Sequence, residues 1–387
     1  MVRTTDTAAG ISGASFRLML GATVLCFSGY SLLLPVVPLW TARGGAGAFG
    51  AGATTAVLMA TTVATQLTVP WLLARIGHRW VLALGSVLLG APTPLIGLSS
   101  DLGPVLALSA VRGIGFGLAT VAGSALVAEL VPRAQHGRAA GRYGLAVGLP
   151  QLVLLATGVA LVDRIGFTAV FVAAGVGPVL GALLVPAIRM PRGGSEAAGA
   201  TVTGTPVRAA PAPLVAMLTC SIAQGGLITF LPLAAPDAGL AVAGALFATS
   251  AGALLGRLLA GELVDRRGWG GRLLTPGMLL TAAGLVVVIV ALGAGGAALI
   301  VLGAAAVGVG FGIVQNDALT VLFAAFGSAR YGAASAAWNI AYDAGTGVGA
   351  LGLGAVADPF GYPTAFGAAA GLLTVSVAAV RAGPRRR

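Results

Sequence analysis

The sequence predicts an all-α polytopic membrane protein, with twelve transmembrane helices in two pseudo-symmetric six-helix bundles. Three observations predict this class: the composition, a series of long apolar runs, and a sequence repeat at a constant offset. Of the 387 residues, 57% are hydrophobic and 9% are charged, and the mean hydropathy is +0.98. Soluble globular domains contain about 25% charged residues, so this composition excludes that class.

The apolar runs number twelve, and each is long enough to cross a bilayer, which takes about 20 residues. Numbered spans one to twelve, they cover residues 15–40, 48–73, 79–100, 103–127, 141–162, 166–187, 212–234, 239–262, 272–293, 296–323, 331–355 and 363–382. The longest polar stretch follows span six and is rich in Gly, Ala, Thr and Pro, as flexible linkers are. We therefore predict an N-terminal bundle over residues 1–188, a cytoplasmic linker over 189–211 and a C-terminal bundle over 212–387.

The two halves repeat each other at an offset of 195 residues. The segment RGIGFG at 112–117 in span four recurs as VGVGFG at 307–312 in span ten. The same offset relates two further pairs: Asp163 with Asp358, and Gly166 with Gly361. Six spans, a linker and six more spans place the two halves parallel to each other, an arrangement that transporters use.

The basic residues indicate the orientation in the membrane. All 22 are arginine, and most of those between spans fall on the side of the bilayer that holds the N-terminus and the linker. The other side keeps only Arg43 and Arg164. By the positive-inside rule, both termini are predicted to be cytoplasmic.

Several functional classes are disfavoured. The net charge of +11 comes from arginines scattered between apolar runs, so we expect no nucleic-acid partner. The only histidines, His78 and His136, lie in separate loops, so no metal site is predicted. The glycines at 112–117 follow no strand and lie in an apolar span, which indicates helix packing rather than a phosphate-binding loop. We expect no cofactor and no enzymatic activity.

Span eleven carries the most informative residue, Asp343, about halfway along an apolar helix. An ionisable side chain at the bilayer centre costs about 2.5–3.5 kcal/mol on insertion scales and usually faces a partner or a wet cavity. Apolar surroundings favour the neutral form of a carboxyl, so Asp343 is predicted to be a proton-coupling residue. The alternative is a structural aspartate that Asn339 or a neighbouring helix satisfies.

Other polar residues in the spans are candidates for the same cavity. Asp317 is a second proton-coupling candidate, although it could instead pair with Arg257 or Arg266. Arg112 is predicted to bind a substrate anion or to alternate with a proton-carrying acid, with a structural pair to a carbonyl or acid as the alternative. The remaining predicted cavity residues are Asn339, Asn316, Gln315, Gln151, Gln224, Tyr30 and Trp338.

The loop after span eight reads GELVDRRG at 261–268 and resembles the G-x-L-x-D-R-x-G signature of the major facilitator superfamily. The equivalent loop after span two is degenerate, because Pro70 stands in place of the glycine and Ala74 in place of the aspartate. The resemblance implies a twelve-helix transporter fold, closest to the bacterial drug and arabinose efflux branch. It also implies a bacterial cytoplasmic membrane as the location.

The signature loop itself predicts a cytoplasmic gate. A carboxylate at Asp265 can cap the positive N-terminus of a facing helix, which pseudo-symmetry places at the start of span five near Gly141. A solvated loop charge is the alternative. The predicted gate residues are Gly261, Asp265, Arg266, Gly268, Arg75 and Glu129, the last of which lies close to Arg133.

These features together predict a secondary active transporter that moves a small solute by alternating access, with proton-coupled efflux as the direction that the resemblance implies. A proton-coupled importer and a non-transporting membrane sensor are the alternatives. The expected partners are a small-molecule substrate of unknown class, protons as the coupling ion and the lipid bilayer. We expect a monomer.

Overall fold

The computed structural model of the protein describes residues 10–132, 135–190, 211–294, 296–326 and 331–382. Within those ranges, ten helical segments are long and apolar enough to cross a membrane. Two of the ten, Ala14–Ile76 and Arg138–Ala187, are long enough for two spans each. The predicted all-α membrane fold class is therefore confirmed, and the ten segments are consistent with twelve transmembrane helices.

The helices of the N-terminal half cover Ala14–Leu33, Val36–Thr41, Gly47–Ile76, His78–Gly90, Leu102–Leu130 and His136–Leu184. Span one is thus broken at Pro35, which lacks a backbone N–H to donate into the helix. Span three ends in a 3₁₀ helix over Thr93–Leu98. Spans five and six form one continuous helical segment that turns at Gly166, where φ is 79°.

The helices of the C-terminal half cover Pro211–Ala234, Gly239–Arg267, Leu274–Ala294, Ala297–Phe326, Tyr331–Phe360 and Tyr362–Ala382. The turn between spans eleven and twelve is at Gly361, where φ is 81°. Gly166 and Gly361 therefore occupy the same left-handed turn in the two halves, where a side chain would be strained. Most of the predicted linker, residues 191–210, lies outside the described residues.

The repeated glycine segments pack in the same way in both halves. At 112–117 in span four, the first and last glycines lie against span two and the middle one lies against span three. At 307–312 in span ten, the first and last glycines lie against span eight and the middle one lies against span nine. A Cβ atom built on Gly312 would lie 2.0 Å from the carbonyl oxygen of Ala253. The interpretation of these glycines as sites of close helix packing is confirmed.

The two halves meet mainly where span two packs on span eleven and where span five packs on span eight. We call the end of the bundle that holds the start of span one and the end of span six the linker face, and the other end the opposite face. The hydrogen bonds between the halves lie near the opposite face, from Ala48 and Phe49 to Asp358, and nearer the middle of the bundle, from Gln66 to Asp343. A fourth joins Ser250 to the backbone of span five.

Candidate functional site

Asp343 is buried where the two halves touch, with only 3% of its surface exposed. Its Oδ2 atom accepts a hydrogen bond of 2.8 Å from Nε2 of Gln66 in span two. The same nitrogen lies 3.5 Å from Oγ1 of Thr120 in span four, and Oε1 of Gln66 is buried without a partner in the described part of the chain. The carboxyl group is therefore held across the interface by a neutral amide from the other half.

The sequence identified this carboxyl group but not its partner. Asn339 does not reach it, because Nδ2 of Asn339 donates to the backbone oxygen of Ser335, one turn earlier in its own helix. The other suggested contact, with a neighbouring helix, is present as the bond from Gln66. Gln66 could have been identified from the sequence as a candidate partner, since it is the only amide side chain in span two.

A second group of contacting side chains joins spans eight, ten and eleven. Nε of Arg257 donates to Oε1 of Gln315, and Nε1 of Trp338 donates to the backbone oxygen of Gln315 at 3.1 Å. The Trp338 ring stacks on Tyr342, with centroids 6.2 Å apart. The predicted cavity residues Gln315 and Trp338 are thus brought together. Arg257 and Tyr342 were missed as members of this group.

Arg112 lies in the interior of the N-terminal half and is 2% exposed. Its Nε, the hydroxyl of Tyr30 and the hydroxyl of Ser109 are buried, and none of the three has a hydrogen-bond partner among the described residues. All three residues line a cavity of about 10 Å³, together with residues of spans one and two. The Tyr30 ring is fixed by stacking on Phe116, with centroids 4.0 Å apart. The structural alternative for Arg112, a pair with an acid, is not found in the described part of the chain.

Asp317 has a local role that the sequence did not indicate. Its two carboxylate oxygens accept hydrogen bonds from the backbone nitrogens of Gly271, at 2.6 Å, and Leu273, at 2.9 Å. It therefore caps the start of the helix Leu274–Ala294, within its own half. Neither suggested ion pair forms, since Arg257 bonds to Gln315 and Arg266 pairs with Glu262.

Among the described residues, no hydrogen bond or ion pair joins the signature loop to span five. Asp265 and Arg266 are exposed, and Arg266 forms an ion pair of 2.6 Å with Glu262 of its own helix. A Cβ atom built on Gly141, at the expected capping position, would meet nothing within 4 Å. Gly268 ends span eight in the left-handed conformation, with φ at 64°. In the described part of the chain, the predicted gate contact between Asp265 and the start of span five is therefore not formed.

The other gate candidates make contacts inside their own halves. Arg75 lies over the ring of Trp71, 4.3 Å from its centroid, and Gly261 lies near Nδ2 of Asn316, with 4.0 Å between that atom and a built Cβ. Glu129 pairs with Nδ1 of His78 at 2.7 Å, and burial raises the pKa of the Glu129 carboxyl. The expected neighbour Arg133 lies outside the described residues.

The remaining cavity candidates are dispersed. The backbone oxygen of Gln151 accepts a hydrogen bond from Ser250 at 3.3 Å, Gln224 is buried on span seven, and the backbone oxygen of Asn316 accepts from Thr320. Among the described residues, no hydrogen bond joins these side chains to Asp343. The same residues contain no group of three or more His, Cys, Asp or Glu that could hold a metal ion.

The opposite face is held together by an aspartate that caps a helix of the other half. Asp358, near the end of span eleven, accepts hydrogen bonds from the backbone nitrogens of Ala48, at 2.5 Å, and Phe49, at 3.0 Å, at the start of span two. Its repeat equivalent, Asp163, pairs with Arg43 at 3.6 Å and lies beside the start of span eight. These contacts leave a cavity of about 280 Å³ between the halves at this face.

Comparisons with known proteins agree with this architecture. A family model described as Major Facilitator Superfamily matches residues 19–350. No curated protein sequence matches significantly. One similar solved structure is a bacterial homolog of the human lysosomal transporter Spinster in an inward-facing, occupied conformation, which is 15% identical with a TM-score of 0.78 and 95% coverage of both chains.

Two further structures show the same fold. The same kind of Spinster homolog in an inward-facing, unoccupied conformation is 15% identical, with a TM-score of 0.73 and 95% coverage of both chains. A mutant of the nucleoside transporter NupG is 13% identical, with a TM-score of 0.71, and the match covers 94% of this chain and 99% of that one. At such identities the likeness extends to the fold alone.

Proposed function

The chain belongs to the major facilitator superfamily of membrane transporters, and from that premise we propose that it moves a small solute by alternating access, coupled to protons through Asp343. Export is the proposed direction, on the resemblance of residues 261–268 to the efflux branch. The proposal places the linker face in the cytoplasm of a bacterial cell, with the protein acting as a monomer in the cytoplasmic membrane.

The observation that carries the proposal is the position of Asp343. A coupling carboxyl must exchange its proton with different sides of the membrane in different conformations. Asp343 lies on span eleven and bonds to Gln66 on span two, so its only described hydrogen bond crosses from one half to the other. Rocking of the halves would break that bond, which would change the surroundings of the carboxyl together with its access to water.

The two faces of the molecule also support alternating access. Asp358 ties span eleven to span two at the opposite face, whereas Asp265 and Arg266 are exposed at the linker face. A carboxylate that ties the halves together at one face, with the signature loop exposed at the other, is what a rocking mechanism requires of one of its two end states.

The test measures proton movement in inverted membrane vesicles that hold an acid interior. Vesicles with wild-type protein, Asp343→Asn or Asp237→Asn are challenged with cationic drugs, sugars and organic anions. Asp237 is an exposed loop residue and serves as the matched control. We expect one class of compound to dissipate the gradient with wild type and Asp237→Asn, and not with Asp343→Asn.

The other outcomes separate the alternatives. An equal response from wild type and Asp343→Asn would show that the coupling residue lies elsewhere. Uptake into right-side-out vesicles, without any response in inverted ones, would favour the proton-coupled importer. A purified protein that moves no solute under any gradient would favour the membrane sensor.

A further inference from the structure

Two arginines in the interior of the bundle have no acidic partner in the described part of the chain. Arg112 is buried with its Nε unpaired, beside the unpaired hydroxyls of Tyr30 and Ser109. Arg257, half-buried on span eight, bonds to the neutral amide of Gln315. The ion pairs of the described residues involve Arg43 and Arg266, and a third acidic side chain contacts His78, all near the two faces.

The balance of charge in the middle of the bundle is therefore positive. Asp343 is the one acidic residue described there, and it bonds to an amide rather than to either arginine. Arg257 is linked through Gln315 and Trp338 to Tyr342, the chain neighbour of Asp343. Arg112 lies on span four, whose Thr120 is 3.5 Å from the Gln66 amide that binds Asp343, so these groups share one region. Two guanidinium groups against one carboxyl leave an excess of positive charge in this region, and the part of it on buried Arg112 is costly without a counter-ion.

We propose that the transported solute is a small organic anion bearing a carboxylate, which Arg112 binds from the N-terminal half and Arg257 from the C-terminal half. Guanidinium groups match the planar geometry of a carboxylate, and their charge-assisted bonds are the strong ones. The inference rests on the proposed transport function, since it names the substrate class of that central region. The Trp338 and Tyr342 rings beside Gln315 offer a surface for an apolar part of the solute.

The two arginines differ in accessibility in this conformation. The cavity at Arg112 has a volume of about 10 Å³, which is room for about one water-sized atom. A whole carboxylate therefore reaches Arg112 only when spans one, two and four separate. Arg257 is already partly exposed, so the anion contacts it first when the linker face is open.

The experiment is thermal unfolding of the purified full-length protein in detergent, with and without added compound. The probes are acetate, benzoate and succinate, each compared with the neutral amide of the same acid and with benzylamine as a cation. The variants are Arg112→Gln, Arg257→Gln, the charge-conserving Arg112→Lys, and Arg381→Gln as a control at an exposed arginine on span twelve.

We expect at least one carboxylate to raise Tm for wild type and Arg381→Gln, while its amide and the cation do not. Loss of a charged hydrogen-bond partner weakens binding by about 10-fold or more, so the midpoint concentration should rise by that factor in both glutamine variants and less in Arg112→Lys. A Tm shift with the cation alone, no shift with any carboxylate, or equal shifts in wild type and both glutamine variants would overturn the proposal.

This readout is independent of transport. If carboxylates bind through the two arginines but no gradient drives their movement, the anion site stands and the transport function fails. If vesicles transport a compound that is not an anion, the transport function stands and the anion site fails.

Discussion

Asp317 and Asp343 are both buried aspartates of the C-terminal half, yet their hydrogen-bond partners give them different roles. Asp317 satisfies two backbone N–H groups at the start of span nine, so Asp317→Ala would leave both without an acceptor. Such a loss costs about 1–3 kcal/mol, and we expect a lower Tm for the purified protein. Asp343→Asn keeps a polar group beside Gln66, and we expect Tm close to wild type but altered proton coupling.

The control for this comparison is Asn316→Ala, one residue before Asp317. Asn316 uses its backbone oxygen to accept a bond from Thr320, which the substitution preserves. A Tm for Asp317→Ala equal to that of Asn316→Ala would contradict the capping role.

At this scale the sequence predicts which charges matter better than it predicts their partners. Asp343 and Arg112 are conspicuous because a charge in an apolar run is costly wherever it points. Gln66 is uncharged and costs less in a membrane, and it lies 277 residues away from Asp343 along the chain. Only the packing of span two on span eleven joins them, and no local pattern contains that information.

At the scale of helices, the close approach of spans eight and ten depends on glycine. A Cβ atom on Gly312 would lie 2.0 Å from a carbonyl oxygen of span eight, whereas one on Gly352 would meet nothing within 4 Å. We therefore expect Gly312→Val to lower Tm and the yield of monodisperse protein, since overpacking costs about 1–3 kcal/mol or more. Gly352→Val is the matched control and should behave like wild type.

Equal stability of the two valine variants would show that spans eight and ten can separate without loss. The repeat at 112–117 and 307–312 made this packing predictable, because small residues at a constant offset indicate the same contact in both halves. The break at Pro35 was not predicted, because the apolar run continues through it. Hydropathy does not reveal that proline lacks the backbone N–H that donates a hydrogen bond within a helix.

At the scale of the whole molecule, the sequence identifies the superfamily and the twelve spans but not the conformation. The signature loop predicted a contact at the linker face, and the structure has its carboxylate contact at the opposite face instead. Both contacts have the same physical basis, a carboxylate at the positive N-terminus of a helix from the other half. Which one forms depends on the balance between two arrangements of the halves, and composition and motifs do not report that balance.

Asp358 is the residue through which this balance can be shifted. Asp358→Ala removes the acceptor for Ala48 and Phe49, so the arrangement that is open at the opposite face should become more populated. A change of about 1–3 kcal/mol corresponds to a shift of about 5–150-fold in the equilibrium.

The measurement is the rate at which a membrane-impermeant maleimide labels Ala51→Cys, a position fully buried near this face, after Cys26 and Cys220 are replaced. The control is Asp101→Ala, which removes an exposed acid whose side chain makes no capping hydrogen bond. Equal labelling rates in the Asp358→Ala and Asp101→Ala proteins would show that Asp358 does not hold the opposite face closed.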